Sequence, residues 1–240
     1  MNQAMSDKVR KSLLGDGATS RYILYAIGEI ALVVIGILIA LQINNWNEWR
    51  KDRLEERVLL LDLKNNLEKN VDILSESIRE LQGWNNDADS IVSYIFNKAP
   101  YHPSMDAKFH RVRLSTFINL TFSSYERLKS SGFSIVQSDQ LKNEIINLFD
   151  AVYTYMKDRI EQVRIADSDF QTFLKHRFMT SSRLELTPVN YTDLLDDHYF
   201  KSSINHSRNV REWHIELMNQ SLKETQRVLQ QVNKELRVDE

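Results

Sequence analysis

The feature that most limits what this chain can become is YILYAIGEIALVVIGILIALQI, residues 22–43, where Glu29 is the only formally charged residue. As a helix, Ile23 to Ile43 reaches roughly 30 Å, the thickness of a bilayer hydrocarbon core. Tyr22 and Tyr25 mark one edge of this run, and Trp46 and Trp49 mark the other. Aromatic residues at both ends are the interfacial pattern of a spanning helix. A cleaved signal peptide would have a shorter apolar region ending in small residues, whereas this run leads into QINNWNEWRK. The lipid bilayer is therefore the first expected partner, reached through an uncleaved anchor over residues 22–45.

Lys and Arg do not settle its orientation. Lys8, Arg10, Lys11 and Arg21 lie before the span, and Arg50, Lys51, Arg53 and Arg57 lie after it. Glu48, Asp52, Glu55 and Glu56 offset the second group, which favours the basic tail of residues 1–21 in the cytoplasm and the remainder in the periplasm. Glu29 sits about six residues into the span, roughly 9 Å below its near edge. Gly36 and Ala40 form a small-xxx-small pair, with Gly28 nearly on the same stripe and Gln42 near the far end. Such stripes let two helix backbones approach closely, so Glu29 beside one points to another helix. Helix assembly is preferred here to proton transfer by Glu29, the rival use of an ionisable group in a membrane.

Beyond the anchor, Leu60, Leu67, Leu74, Leu81, Ala88 and Ile95 recur at intervals of seven. Lys64, Val71, Ile78, Asn85 and Val92 alternate with them. This heptad pattern predicts a long helix or stalk over 46–97, either a seam inside a helical bundle or a coiled coil between subunits. Asn85 falls in the seam, where a polar residue can fix register. Only three prolines and six glycines interrupt the chain, consistent with long helices.

Residues 98–240 read as a helical bundle. NKAPYHPS, residues 97–104, ends the long helix, and Phe109, Val112, Phe117 and Leu120 predict a second. Ser123 or Ser124 is placed to cap a short helix that Gly132 closes. Ser138 is placed to cap a helix with Leu141, Ile145, Leu148, Val152, Tyr155 and Met156 inward, continuing to about Phe178. A looser stretch follows, and then a final helix around 203–236 using Val210, Trp213, Leu217, Leu222, Val228, Leu229 and Val232. The expected fold class is all-α: one transmembrane helix, one long heptad-patterned helix and an extramembrane bundle.

Two stretches carry a resemblance. RYILYAIGEIALVVIGILIALQINNWNE and YERLKSSGFSIVQSDQLKNEIINLF together resemble an uncharacterised family of small single-pass membrane proteins of Bacteroidota. The resemblance implies a bacterial envelope protein and supplies no activity, substrate or cofactor; with the anchor, the expected location is the bacterial inner membrane. It singles out Gly28, Glu29, Gly36, Gln42, Asn44, Asn45 and Trp46 in the anchor. In the second motif it singles out Tyr125, Leu128, Lys129, Ser130, Ser131 and Gly132. The chemistry of that motif reads first as a capped corner, with an exposed partner patch as the rival.

Catalytic and cofactor signals are missing from the sequence. No cysteine is present, so there is neither a disulfide framework nor a thiolate metal site. The six histidines form no i, i+4 pair around a glutamate, and His198, His206 and His214 at spacings of eight do not share a helix face. No serine stands in a Gly-x-Ser-x-Gly turn. A net charge of −2 without a basic block argues against nucleic acid. The expectation is no enzyme, no cofactor and no metal. The chain reads as a structural or accessory protein that self-associates or binds another membrane protein. A proton-coupled, stator-like subunit using Glu29 and an envelope sensor needing a partner for output are the alternatives.

Overall fold

A computed structural model describes residues 16–114, 116–166 and 168–238, and the chain is mostly helical. It divides into two compact units, residues 1–55 and 56–240. The first helix, α1, is Asp16–Phe96, with no break at the 45/46 boundary expected between span and stalk. Of the expected tail, residues 1–21, positions 1–15 lie outside the described residues, as do the side chains of residues 16–22, Tyr22 included.

Within the second unit, the part of α1 from residue 56 onward supplies one side of the core. Leu60, Leu67, Leu74, Leu81, Ala88 and Ile95 are each no more than 2% exposed. Lys64 and Val71 are only half-buried, and Leu63 and Asn70 lie deep in the core instead. The chain itself covers this seam. Arg57 Nη1 donates to the Leu236 carbonyl at 3.1 Å, and Arg208 Nη1 donates to Asp89 at 2.9 Å. As position rises along α1, its partner falls along α8 (His198–Val238), so the two helices run antiparallel.

After α1, Lys98 takes φ 48° and Ala99 N–H donates to the Tyr94 carbonyl, closing the helix just before Pro100. A 3-10 turn, Pro103–Met105, leads into α2, Asp106–Val112. The expected second helix therefore stops early. Residues 116–122 cross the bundle without regular structure, burying Ile118 and Leu120 and leaving Phe117 78% exposed. Helix α3, Ser123–Ser131, closes at Gly132 as its sequence predicts. Its N-cap is Phe122 and carries no side-chain bond, so neither serine caps it. Ser123 Oγ instead accepts from Asn66 Nδ2 at 3.3 Å, and Ser124 is buried.

Ser138 caps α4, Asp139–Ile146, by accepting from Leu141 N–H at 3.2 Å. The helix then passes through a π segment, Asn147–Tyr153, before α5, Thr154–Ala166, and α6, Ser168–Arg177. The i→i+5 pattern of a π turn retards the helical phase. Phe149 and Tyr153 consequently face the core, Val152 is half-buried and Tyr155 is 53% exposed. The stretch expected to be loose contains an antiparallel hairpin, β1 (Phe178–Ser182) and β2 (Glu185–Pro188), followed by α7, Tyr191–Asp196. The fold is thus helical with one small hairpin.

Two apolar clusters result. One joins Leu60 to Leu81 of α1 with α3, the π segment and the end of α8. The other joins Ala88 to Ile95 with α2, α6, the hairpin and the start of α8. Between them along the helices lie buried Asn85, Arg211 and His214.

Candidate functional site

In the second unit, the chemistry concentrates where α1 meets the YERLKSSG corner and α8. The inward face of α8 repeats at steps of four and three: Phe200, Ile204, Ser207, Arg211, His214, Met218, Ser221, Thr225, Val228 and Val232 are all buried. The middle of this heptad seam is polar, and α1 answers it with Asn66, Asn70 and Asn85. Asn85 Oδ1 accepts from Arg211 Nε at 2.7 Å, and its Nδ2 donates to the Arg208 carbonyl at 3.4 Å. Arg211 Nη1 also donates to the Val112 carbonyl at 2.9 Å, tying α2 to the same layer.

Asn70 binds backbone as a strand would. Its Oδ1 accepts from Thr121 N–H at 2.7 Å, and its Nδ2 donates to the Thr121 carbonyl at 3.1 Å. This contact holds the irregular stretch before α3 in place without secondary structure. Asn70 Nδ2 also reaches the Tyr153 hydroxyl at 3.5 Å. Thr225 Oγ1 donates to the Ser221 carbonyl at 2.7 Å, so its oxygen accepts the Tyr153 proton across 2.8 Å. The donors thus run in one direction from Asn70 to Ser221. Burial, partly offset by these two partners, pushes the Tyr153 phenol up to about 12, so it stays protonated.

The corner motif packs inward. Tyr125 is buried and stacks on Phe149 with centroids 4.5 Å apart, and Leu128 is fully buried. Burial, with Asp150 nearby, raises the Tyr125 phenol well above its ordinary value. Lys129 lies 5.9 Å above the Tyr125 ring, and Ser130 Oγ donates to the Arg127 carbonyl at 2.8 Å. Ser131 is exposed. Just past the corner, Gln137 N–H donates to buried Glu56 at 2.9 Å, and Arg127 pairs with Asp62. The arrangement is a fastened joint between α1 and the bundle. Gly132 makes the turn at φ 86° and ψ 128°, where an added Cβ would meet only Ser134 Oγ at 3.6 Å. A Gly132→Ala change should therefore act through backbone strain, costing about 1–2 kcal/mol. Urea unfolding checks this, and a loss below about 0.5 kcal/mol would remove the strain argument.

Among the described residues, no three His, Cys, Asp or Glu side chains are placed to hold a metal ion. His198 and His206 are exposed and His214 is buried, so they do not converge.

The first unit presents a different surface. Every residue from Ile23 to Asp52 is exposed, including Gly28, Glu29, Gly36, Ala40, Gln42 and Asn45. Tyr25 is 79% exposed, Trp46 61% and Trp49 52%. A Cβ added at Gly28 or Gly36 would meet nothing within 4 Å, so the chain's own packing makes no use of their small size. Asn44 Nδ2 donates to Glu48 at 2.9 Å along the same helix.

These features define a class: a mostly helical protein with, among the described residues, one helix long and apolar enough, by length and composition, to cross a membrane. The chain belongs to the family of unknown function DUF6090, whose model matches residues 29–204. That match takes in most of the apolar stretch, the corner motif and the hairpin. No curated protein and no solved structure matches the chain.

Proposed function

We propose that the chain is a membrane-anchored accessory protein of the bacterial inner membrane, joined through its apolar helix to itself or to another membrane protein. In this reading the basic tail is cytoplasmic and residues 56–240 are periplasmic. The supporting observation is the uncovered apolar helix with open space at Gly28 and Gly36. Each large aliphatic side chain left in water forgoes about 1.5–3 kcal/mol of burial, so a helix exposing this many belongs in lipid. The open glycines and the carboxylate of Glu29 then call for a neighbouring helix, because close packing and intramembrane carboxylates both need one.

Gentle extraction from native membranes, followed by measurement of complex mass and identification of co-purifying proteins, tests the reading. Gly36→Leu should weaken the complex, because the added side chain blocks close backbone approach, while residues 56–240 stay folded. Unchanged complex size in detergent and in lipid would refute that. Glu29→Gln should leave assembly near normal, because glutamine keeps shape and hydrogen bonding. An intact complex that loses activity on this change would favour proton coupling instead.

A further inference from the structure

The π segment borders a groove with a chemistry of its own. Ala151, Val152 and Tyr155 stand on one side of it and Leu217, Ser221 and Lys223 of α8 on the other, around about 630 Å³ of open space. That volume lies in the range of small-molecule sites. Both walls belong to the second unit, so the inference does not rest on the anchored reading. π turns are rare and occur frequently at functional sites. Here the turn sends Phe149 and Tyr153 into the core and leaves Tyr155 53% exposed at the edge of the groove. Buried Met156 and Leu217 form an apolar floor, with buried Ser221 beside them.

We propose that this groove binds a free medium-chain carboxylic acid, with its alkyl body over Val152, Met156 and Leu217 and its carboxylate at Lys223. Charge complementarity names the head group. Glu224, the other charged residue lining the groove, accepts from Arg227 Nε at 2.9 Å. Lys223 is exposed and makes no ion pair among the described residues, so its charge is unspent.

The shape names the body. Glu144 pairs with Arg227 at 2.9 Å, and Tyr153 bonds Thr225 at 2.8 Å, so the π segment and α8 run antiparallel. Lys223 and Ala151 therefore lie toward one end of the groove, and Leu217 and Tyr155 toward the other. The groove is cationic at one end and aromatic at the other. Leu217 to Glu224 covers roughly 10 Å along the helix. A phospholipid tail fills half a hydrocarbon core, about 15 Å, so a shorter free acid is the better match.

Photolabelling of the full-length protein in phosphatidylcholine nanodiscs tests this, with decanoic acid carrying a terminal diazirine as the probe and peptide mass spectrometry as the map. Label should fall within residues 151–156 and 217–224. Unmodified decanoate should displace it, and decylamine, the same body with a cationic head, should not. Lys223→Glu should lower this labelling roughly three- to tenfold, as turning an exposed ion pair repulsive does, and Lys223→Arg should keep it. Ala151→Trp, which fills the groove from an exposed position, should lower it as far while the urea midpoint stays in place. Equal displacement by decylamine, or unchanged labelling of Lys223→Glu, would remove the acid from the site. Label confined to residues 23–52 would mean that the probe only enters the bilayer. Displacement by phosphatidylglycerol added to the nanodiscs would make a membrane lipid the occupant. Each of these results overturns the proposal and leaves the anchored reading untouched.

Discussion

Phe149→Ala should cost about 3–5 kcal/mol, the ordinary range for deleting a buried phenylalanine. Phe149 is fully buried within the π segment. It stacks on Tyr125 at 4.5 Å with the rings 2° from parallel, and meets Phe122 and Tyr153 edge-on at 5.4 and 5.2 Å. Removing it opens a cavity where the corner motif, the irregular stretch before α3 and the π segment converge, and none of the three can close alone. Tyr155→Ala is the contrast, because a side chain 53% exposed should change stability by less than about 0.5 kcal/mol. Urea midpoints of the detergent-solubilised protein compare the two. A Phe149→Ala loss below about 1 kcal/mol would mean that the aromatic stack does not fasten the corner.

Acid should loosen the same bundle at a second place. His214 is 3% exposed; burial and, second, the neighbouring Arg211 lower its pKa from 6.5 to about 4. Burial, with Arg113 and Arg111, lowers His110 as well. A depressed histidine takes up its proton more readily in the unfolded chain. The stability it contributes is therefore present above pH 6.5 and is lost as pH falls toward 4. Between pH 7 and pH 5 the His214 difference amounts to about 2 kcal/mol. His214→Gln, which carries no titrating proton there, should flatten that part of the pH–stability curve whatever it does to stability at pH 7. Equal slopes in the two proteins would refute the assignment.

The apolar stretch around Glu29, the inward leucines of α1, the turn before Pro100, Gly132 and the Ser138 cap were all legible because each depends on local chemistry. Chain hydropathy, seven-residue spacing, glycine's tolerance of positive φ and a serine before a helix act within a turn or two. Other elements escaped for particular reasons. The α8 seam keeps a strict four-three spacing, but Ser207, Arg211, His214, Ser221 and Thr225 hold half of it. A search for apolar repeats passes over them, whereas the spacing alone would have marked the face. Tyr155 was expected inward because an α-helical phase was carried through residues that adopt a π turn. Phe117 was expected to pack at helical spacing, but the stretch forms no helix and Asn70 bonds both backbone groups of Thr121 there. The hairpin packs against α2, which precedes it by some seventy residues.

By itself, then, the sequence determined the classes of surface this chain carries. It marked an apolar helix long enough to cross a membrane, a leucine face that needs cover, and corners where glycine and serine stop helices. Those are matters of solvation and local backbone preference, which each segment carries wherever it lies. Only the tertiary structure decided that α8 covers the leucine face of α1 in antiparallel fashion, and that polar seam residues are satisfied in pairs such as Asn85 with Arg211 and Tyr153 with Thr225. A buried polar group is tolerable only when a partner stands within hydrogen-bond reach. That partner lies some seventy to a hundred and thirty residues away along the chain, so no local pattern announces it.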